Sequence, residues 1–339
     1  MSTPRNRIAR TWKKVAFIGG TSSTPLGGRR PLTLDDVDKL PDNRSDIRDF
    51  LATRRAKITP EQVGLPTTGR RRVPGLRREE VAVLAGVSTE WYTRLEKGHI
   101  SGVSEDVLDA VAQALQLDED ERTYLFDLAK AARPDHRTPP RRKDAEVPPR
   151  VQWMLDSMTM SSAFVRNGRM DLVADNPLAR ALHAPMFRSE TTSKHGRANI
   201  ARYIFLDPSA QHFYVDWDAA TVTTAALLRA EAGREPHDRA LRELVGELST
   251  LSSEFRTQWA SHDVRIHHDG IKRLRHPEVG DLELTYQSLN LPLSNRAVHD
   301  LTIYTAEPGT ASEDRLKVLA SWTATQSRST ATIRDPRQV

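Results

Sequence analysis

The sequence contains no cysteine. It therefore has no disulfides, no thiolate–metal cluster and no cysteine nucleophile. It also has no apolar run of about 18 residues, the minimum expected for a membrane-spanning helix. The basic N terminus holds a short apolar run, VAFI, which is too short for the core of a secretory signal. These absences predict a cytoplasmic protein with no membrane partner.

Sequence motifs of common enzymes are missing as well. The chain has no G-x-S-x-G, no H-E-x-x-H and no Walker loop, and KVAFIGGTSS lacks the G-x-G-x-x-G spacing of dinucleotide sites. The acidic pairs Asp35-Asp36 and Glu79-Glu80 are adjacent, and neighbouring side chains on a helix point apart. We therefore predict no catalytic residue, no enzyme activity and no cofactor.

Four histidines in the last third invite a metal interpretation. They are His262, His267, His268 and His276. Their spacing matches no zinc motif, and His276-Pro277 is typical of a turn. We predict no metal site.

The length and the charge distribution suggest two functions in two domains. A chain of 339 residues is long enough for two cores. Residues 1–150 carry 28 Lys and Arg against 22 Asp and Glu, whereas residues 151–339 carry 22 against 23. The stretch GRRRVPGLRR concentrates the basic residues Arg70, Arg71, Arg72, Arg77 and Arg78. Such a cluster indicates a polyanionic partner, with a solvated loop as the alternative.

Changes in composition divide the chain into five segments. The predicted order is a disordered extension (1–44), a helical domain (45–132), a Pro-rich linker (133–150), a second domain (151–326) and a disordered tail (327–339). In the helical domain, five segments have helical periodicity, and Ser45, Ser88 and Ser104 are candidate N-caps. A long loop with three prolines separates the first two helices and carries the arginine cluster.

The segment GLRREEVAVLAGVSTEWYTRLEKG predicts two short helices joined at Gly86, which is the helix-turn-helix arrangement. In that unit the second helix enters the major groove, and its N-terminal side chains reach the base edges. The apolar residues that would pack the helices together are Val81, Leu84, Val87, Tyr92 and Leu95. The side chains predicted on or near the outer face are Arg78, Ser88, Thr89, Glu90, Thr93 and Arg94. Glu90 could accept from a cytosine amino group or simply complement the helix N terminus.

The second domain has a different pattern. SAFVRNGRMDLVAD places two apolar runs around Asn167-Gly168, a strong hairpin signal. Helical patterns follow to about Ser261, and then VRIHH, LELTYQSLNL and LTIYTAE predict strands before a closing helix capped by Ser312. We predict an α+β domain, an antiparallel sheet with helices gathered on one face.

The helical segment resembles a known family. GRRRVPGLRREEVAVLAGVSTEWYTRLEKG followed by SEDVLDAVAQALQL is similar, over about 46–131, to the DNA-binding domain of MmyB-like transcription regulators, a branch of the Xre/lambda-repressor-like helix-turn-helix superfamily. The resemblance implies that Arg78, Ser88, Thr89, Thr93 and Arg94 face DNA. It also implies that Arg70–Arg72 contact the backbone or enter a minor groove.

The second domain resembles the ligand-binding domain of the same family. The phrases NIARYIFLDP, VDWDAATVTTAALLRAEAGR, LVGELSTLSSEFRTQWASHDV, HPEVGDLELTYQSL and LTIYTAEPG carry the likeness over about 151–325. It implies a PAS-like fold that binds a small apolar ligand of the fatty-acid type. Candidate lining residues, each of which could instead be ordinary core, are Phe164, Leu228, Phe255, Trp259, Tyr286 and Tyr304. Candidates for binding a carboxylate head group, with a surface or interface role as the alternative, are Arg229, Arg256 and His262.

Together these features predict a transcription regulator that reads double-stranded DNA as a homodimer, since one helix-turn-helix covers few base pairs. Its C-terminal domain is expected to sense the ligand. The alternative is a C-terminal domain that only dimerises or docks a partner and binds no ligand.

Overall fold

The computed structural model describes residues 43–66, 71, 73, 75–132, 147–264, 268–292 and 298–333. Most of the predicted N-terminal extension, the linker positions 133–146, the last six residues of the tail and the side chains of Arg70 and Arg72 lie outside the described residues. Three predicted boundaries differ from the structure. The first helix begins at Asn43 rather than after Ser45, a helix begins at Pro149 inside the predicted linker, and the closing helix continues to Ile333.

The N-terminal domain is helical, as predicted. Over its described residues the helices are α1 (Asn43–Lys57), α2 (Arg78–Leu84), α3 (Thr89–Glu96), α4 (Glu105–Ala114) and α5 (Glu119–Ala131), with a short 3-10 helix at Pro60–Val63. Asp118 caps α5 by accepting from the Glu121 amide at 3.0 Å, and Glu121 accepts in return from the Asp118 amide at 3.1 Å. This capping box satisfies two amides that the helix itself leaves unpaired.

The core of this domain collects one apolar face from each helix. Phe50 of α1 and Tyr124 of α5 meet edge to face at 5.1 Å, and Val81, Tyr92 and Leu95 are fully buried beside them. Leu84 was predicted to be buried, but 37% of it is exposed. It lies in the last turn of α2, next to Gly86, where the chain turns away from the core.

The C-terminal domain combines helices with one sheet. Its helices are α6 (Pro149–Ser157), α7 (Pro177–Leu182), α8 (Ala184–Phe187), α9 (Glu190–His195), α10 (Ile200–Leu206), α11 (Ser209–Phe213), α12 (Trp217–Arg234), α13 (Arg239–Leu251), α14 (Ser253–Ala260) and α15 (Ala311–Ile333). Its strands are β1 (Ser162–Asn167), β2 (Leu172–Asp175), β3 (Asp269–His276), β4 (Gly280–Pro292) and β5 (Val298–Thr305).

The described strands form one antiparallel sheet in the order β2-β1-β5-β4-β3. Side chains alternate between the two faces of a strand, so register decides which residues share a face. Tyr286 of β4 lies opposite Tyr304 of β5, and Phe164 of β1 lies opposite Thr302. These four residues share one face of the sheet.

Helices cover both faces of this sheet, which differs from the expectation that they gather on one. The face with Phe164 and Tyr304 packs against most of the helices. On the opposite face, Val151 and Leu155 of α6 pack against Ala163 and Val165 of β1. Because β1 is covered on both faces, every residue in it is buried.

The predictions of a hairpin and of a strand in the C-terminal domain have different outcomes. The hairpin at Asn167-Gly168 is confirmed, since β1 and β2 pair on either side of it. Of the strand predicted at VRIHH, residues 265–267 lie outside the described residues, Val264 packs into the core of the helical domain, and β3 begins only at Asp269. Val264 therefore contributes to the contact between the two domains and not to the sheet.

The two domains touch through buried polar and apolar contacts. Arg54 of α1 is 3% exposed, forms an ion pair with Glu121 at 3.0 Å and donates to the His262 carbonyl at 2.6 Å. Helix α12 packs against α5, where Gly233 lies directly beneath the ring of Tyr124. No helix in the described ranges is long and apolar enough to cross a membrane.

Candidate DNA-binding surface and ligand cavity

A tight turn joins α2 to α3. Gly86 has φ +65°, a left-handed conformation that glycine adopts without steric cost, and the Val87 amide donates back to the Ala82 carbonyl at 2.9 Å. Ser88 then caps α3, its hydroxyl accepting from the Trp91 amide at 3.1 Å. The sequence GVS thus sets the angle between the two helices, as the helix-turn-helix arrangement requires.

The N-terminal edge of α3 faces solvent. Ser88, Thr89, Glu90 and Arg94 are exposed and Thr93 is half-buried. The opposite side of the same helix holds the buried residues Tyr92 and Leu95. One face of α3 therefore anchors the helix while the other presents hydroxyls and a guanidinium, which are groups that hydrogen-bond to phosphates and base edges.

Glu96 at the C-terminal end of α3 joins three helices. It is 1% exposed and accepts from Arg55 of α1 through two bonds of 2.9 Å. Arg78 of α2 donates to the same carboxylate at 2.9 and 3.1 Å. Burial by itself would raise the pKa of Glu96, but the hydrogen bonds from the two arginines outweigh it and hold that pKa below its usual range.

The predicted DNA-facing arginines have different environments. Arg71 forms an ion pair with Glu80 at 2.7 Å and donates to the Gly75 carbonyl at 3.0 Å, so it holds the loop before α2. Arg78 is half-exposed despite its bond to Glu96, and Arg77 is exposed beside Glu79. Arg94 is exposed and has no ion pair among the described residues.

A cavity of about 140 Å³ lies in the C-terminal domain, between the sheet and the helices. The sheet contributes alternate residues of four strands, which the register places on one face, together with His268 just before β3. These residues are Phe164, Arg166, His268, Lys272, Tyr286, Ser288, Asn290, Asp300, Thr302 and Tyr304.

Helix α12 forms much of the opposite wall. Its lining residues recur every three or four positions, as one face of a helix does: Ala220, Thr223, Thr224, Leu227, Ala230, Glu231 and Arg234. The other side of the same helix carries Arg229 and Gly233, which face the helical domain. One helix thus touches both the cavity and the N-terminal domain.

The cavity wall is more charged than the sequence led us to expect. Arg166 forms an ion pair with Asp300 at 2.7 Å, and Arg234 bonds to Glu231 one helical turn away. Burial raises the pKa of Glu231 even though Arg234 opposes the shift. Lys272 differs from these four, since its ammonium has no hydrogen bond or ion pair within the described residues and contacts the rings of Tyr214 and Tyr286 instead.

The structure brings three predicted ligand residues to the cavity wall, namely Phe164, Tyr286 and Tyr304. It places the other six away from it: Leu228, Arg229, Phe255, Arg256, Trp259 and His262. Leu228 lies in the core on a different side of α12 from its lining neighbour Leu227, and Phe255 stacks on Trp259 at 5.3 Å within α14.

The three predicted head-group residues have other partners. Arg229 is 2% exposed, donates to the Trp259 carbonyl and lies 3.5 Å from Asp46 of α1. Arg256 donates to the Ser249 carbonyl at 2.8 Å at the end of α13. His262 is part of the contact between the domains through its carbonyl. None of the three lines the cavity, which corrects the expectation that they bind the carboxylate head group of a ligand.

Sequence reasoning missed Lys272 and His183, which do line the cavity. Lys272 could have been found by extending the alternation of β4 across the hairpin to β3, where it pairs with Leu284. His183 follows a short helix and has no sequence pattern to mark it. No cluster of potential metal ligands occurs in the part of the chain that the structure describes.

A helical DNA-binding unit followed by an α+β domain with a ligand-sized cavity defines a transcription regulator with a ligand-binding domain. Residues 147–319, slightly more than half of the chain, match the MmyB-like transcription regulator ligand binding domain, and residues 47–125 match a helix-turn-helix domain. The chain belongs to the MmyB-like transcription regulators. No curated protein matches it.

Proposed function

We propose that this regulator binds a specific DNA operator through α3 and that its PAS-like C-terminal domain senses a small, largely apolar ligand, with a fatty acid as the expectation. The observation that carries the DNA part is the exposed N-terminal edge of α3 opposite its buried anchor. A DNA target also favours the expected cytoplasmic location. The domain families favour a regulator without enzyme activity.

A homodimer on a two-fold symmetric operator is the arrangement we infer. A single recognition helix contacts only a few base pairs, and two half-sites about one helical turn apart would give the affinity and specificity that a regulator needs. Arg77 and Arg78 are exposed at the start of α2, which supports the proposal that they contact phosphates.

The coupling between ligand and DNA would run through α12. Its inner face lines the cavity and its outer face contacts α1 and α5 of the helical domain through Arg229 and Gly233. A ligand that moves α12 therefore changes the position of the helical domain. This contact also favours a sensing role over the alternative of a C-terminal domain that only dimerises or docks a partner.

Thr89, Thr93 and Arg94 together are expected to determine operator affinity. An operator is first selected from random duplex DNA, and its Kd is measured by fluorescence anisotropy. The triple alanine variant is expected to bind the operator at least about 100-fold more weakly, because three lost contacts at about 1–3 kcal/mol each sum to about 3 kcal/mol or more. Binding to random DNA should fall much less, since phosphate contacts supply most of it.

Arg239→Ala is the matched control for charge. Arg239 is exposed on α13, far along the chain from α3, and pairs with Glu243 at 2.7 Å. It should leave operator affinity within about twofold. Equal binding of operator and random DNA by the natural chain, with the same salt dependence, would rule out sequence-specific regulation.

Ligand binding is tested by extracting the purified protein with organic solvent and by thermal shift. Protein that is repeatedly empty, and that no fatty acid stabilises, would favour the docking alternative.

A further inference from the structure

His183 is a buried polar side chain without a partner. It is 3% exposed, it lines the cavity, and neither ring nitrogen has a hydrogen-bond partner among the described residues. Phe164, Phe213 and Tyr304 surround it at centroid distances of 5.5, 6.1 and 5.4 Å. Burial, with a smaller contribution from His276, lowers the pKa of His183 to about 3, so the ring is neutral and offers one donor and one acceptor.

An unpaired polar group in such an environment is costly. Leaving a buried donor or acceptor without a hydrogen bond is unfavourable, and neither ring nitrogen of His183 finds a partner among the aromatic rings around it. A hydroxyl both donates and accepts, so a hydroxyl on a bound molecule matches a neutral imidazole.

Lys272 is a second polar group on the same cavity wall. Its ammonium lies 5.6 Å from the ring centroid of Tyr286 and 6.0 Å from that of Tyr214. Burial lowers the pKa of Lys272, with Asp216 acting weakly in the opposite direction. The other cations of the cavity, Arg166 and Arg234, already bond to carboxylates. Lys272 is therefore the group on this wall best placed to bind an incoming anion.

The two groups lie at opposite ends of an aromatic wall. His183 is 5.4 Å from Tyr304, Tyr304 is 6.0 Å from Tyr286, and Tyr286 is 5.6 Å from the Lys272 ammonium. A dry cavity of about 150 Å³ admits a benzene-sized molecule, so the volume of about 140 Å³ here suits a small ring or a short chain.

We propose that the cavity binds a small hydroxylated carboxylic acid, with its carboxylate on Lys272 and its hydroxyl on the unpaired imidazole of His183. This inference rests on the proposed ligand-sensing function and specifies the ligand class. The aromatic rings between the two residues contact the carbon skeleton, while the neutral imidazole selects against an acid whose far end is a methyl group.

Pairs of compounds that differ by one hydroxyl test the proposal on the full chain. Isothermal titration calorimetry compares octanoate with ω-hydroxyoctanoate and cinnamate with 4-hydroxycinnamate. In at least one pair, the hydroxy acid is expected to bind about tenfold more tightly than its parent, the gain expected when a buried polar group is paired. Octanediol, which lacks the carboxylate, is expected to bind more weakly than ω-hydroxyoctanoate.

Two variants separate the two ends of the ligand. His183→Phe should abolish the preference for the hydroxyl and leave the parent acid bound. Lys272→Met should weaken both acids about equally and leave octanediol unchanged. Because His183→Phe could disturb the core, the ring nitrogens of His183 are also followed by nitrogen NMR in the natural chain. They should shift with the hydroxy acid and not with its parent.

The outcomes distinguish this inference from the proposed function. If the two members of each pair bind with equal affinity and the plain acids still alter operator affinity, the hydroxyl assignment is overturned. Ligand sensing then stays in place. Binding that is insensitive to Lys272→Met overturns the carboxylate assignment. No binding of any compound overturns the inference altogether, whereas loss of operator binding by the natural chain would instead contradict the proposed function.

Discussion

Replacing Glu96 with glutamine is expected to lower the free energy of unfolding of the helical domain by about 3 kcal/mol. The substitution keeps the size of the side chain and removes its charge. Arg55, whose side chain is only 14% exposed, is then left as a buried cation without its counter-ion. Removing one partner of a buried pair is costly for this reason, whatever the net contribution of the intact pair.

The same substitution should weaken operator binding under conditions in which the domain remains folded. Glu96 fixes the C-terminal end of α3 to α1 through Arg55 and to α2 through Arg78. Without it, the exposed edge of α3 is held at a less defined angle. Urea unfolding followed by tyrosine and tryptophan fluorescence gives the stability. Glu79→Gln is the control, since Glu79 is exposed and its pair with Arg77 contributes little.

Acid provides an independent check on Glu96. Its pKa is lower in the folded chain than in the unfolded chain, so its contribution to stability is present above the unfolded value of about 4.3. That contribution is lost as the pH falls through the lower folded value. The stability difference between the natural chain and Glu96→Gln should therefore shrink below about pH 4. A difference that persists unchanged in acid would mean that the carboxylate charge is not the cause.

The helix-turn-helix could be predicted closely because its signals are local. Ser88 caps α3, Gly86 takes the left-handed conformation, and Asp118 and Glu121 form a capping box, each through contacts within a few residues. Leu84 is an exception among the predicted core positions, because it is the last residue of α2, where the chain turns away from the core. The overall order of domains also followed from composition, although the ends of the first and last helices did not.

The cavity was predictable only in part, because its residues meet through long-range register. Periodicity marks Leu227, Leu228 and Arg229 all as residues of one helix, but it does not say which side faces the sheet. Arg229 was expected at a ligand carboxylate and instead stacks over Trp259 at 4.1 Å, beneath the helical domain. When both sides of a helix are buried, the sequence pattern does not distinguish the side that faces a cavity from the side that faces another domain.

Gly233→Leu is expected to separate the two domains and to remove the effect of ligand on DNA binding. A Cβ at Gly233 would lie 2.3 Å from Cε2 of Tyr124, too close for the two helices to keep their positions. The Tyr124 ring cannot easily move away, since it is 3% exposed and packs on Phe50 at 5.1 Å. Leucine is a better helix former than glycine by nearly 1 kcal/mol, so any loss of stability comes from the contact and not from α12 itself.

Calorimetry and X-ray scattering measure the separation. Forced overpacking costs about 1–3 kcal/mol, and opening the interface exposes the buried contacts of Arg229 as well. We expect the variant to unfold in two transitions and to have a larger radius of gyration. Ala219→Leu adds the same side chain at an exposed position of α12 and should change neither. Operator affinity of the Gly233 variant should no longer respond to a ligand that still binds its cavity. If the response survives while the domains separate, coupling does not pass through the contact between α12 and α5.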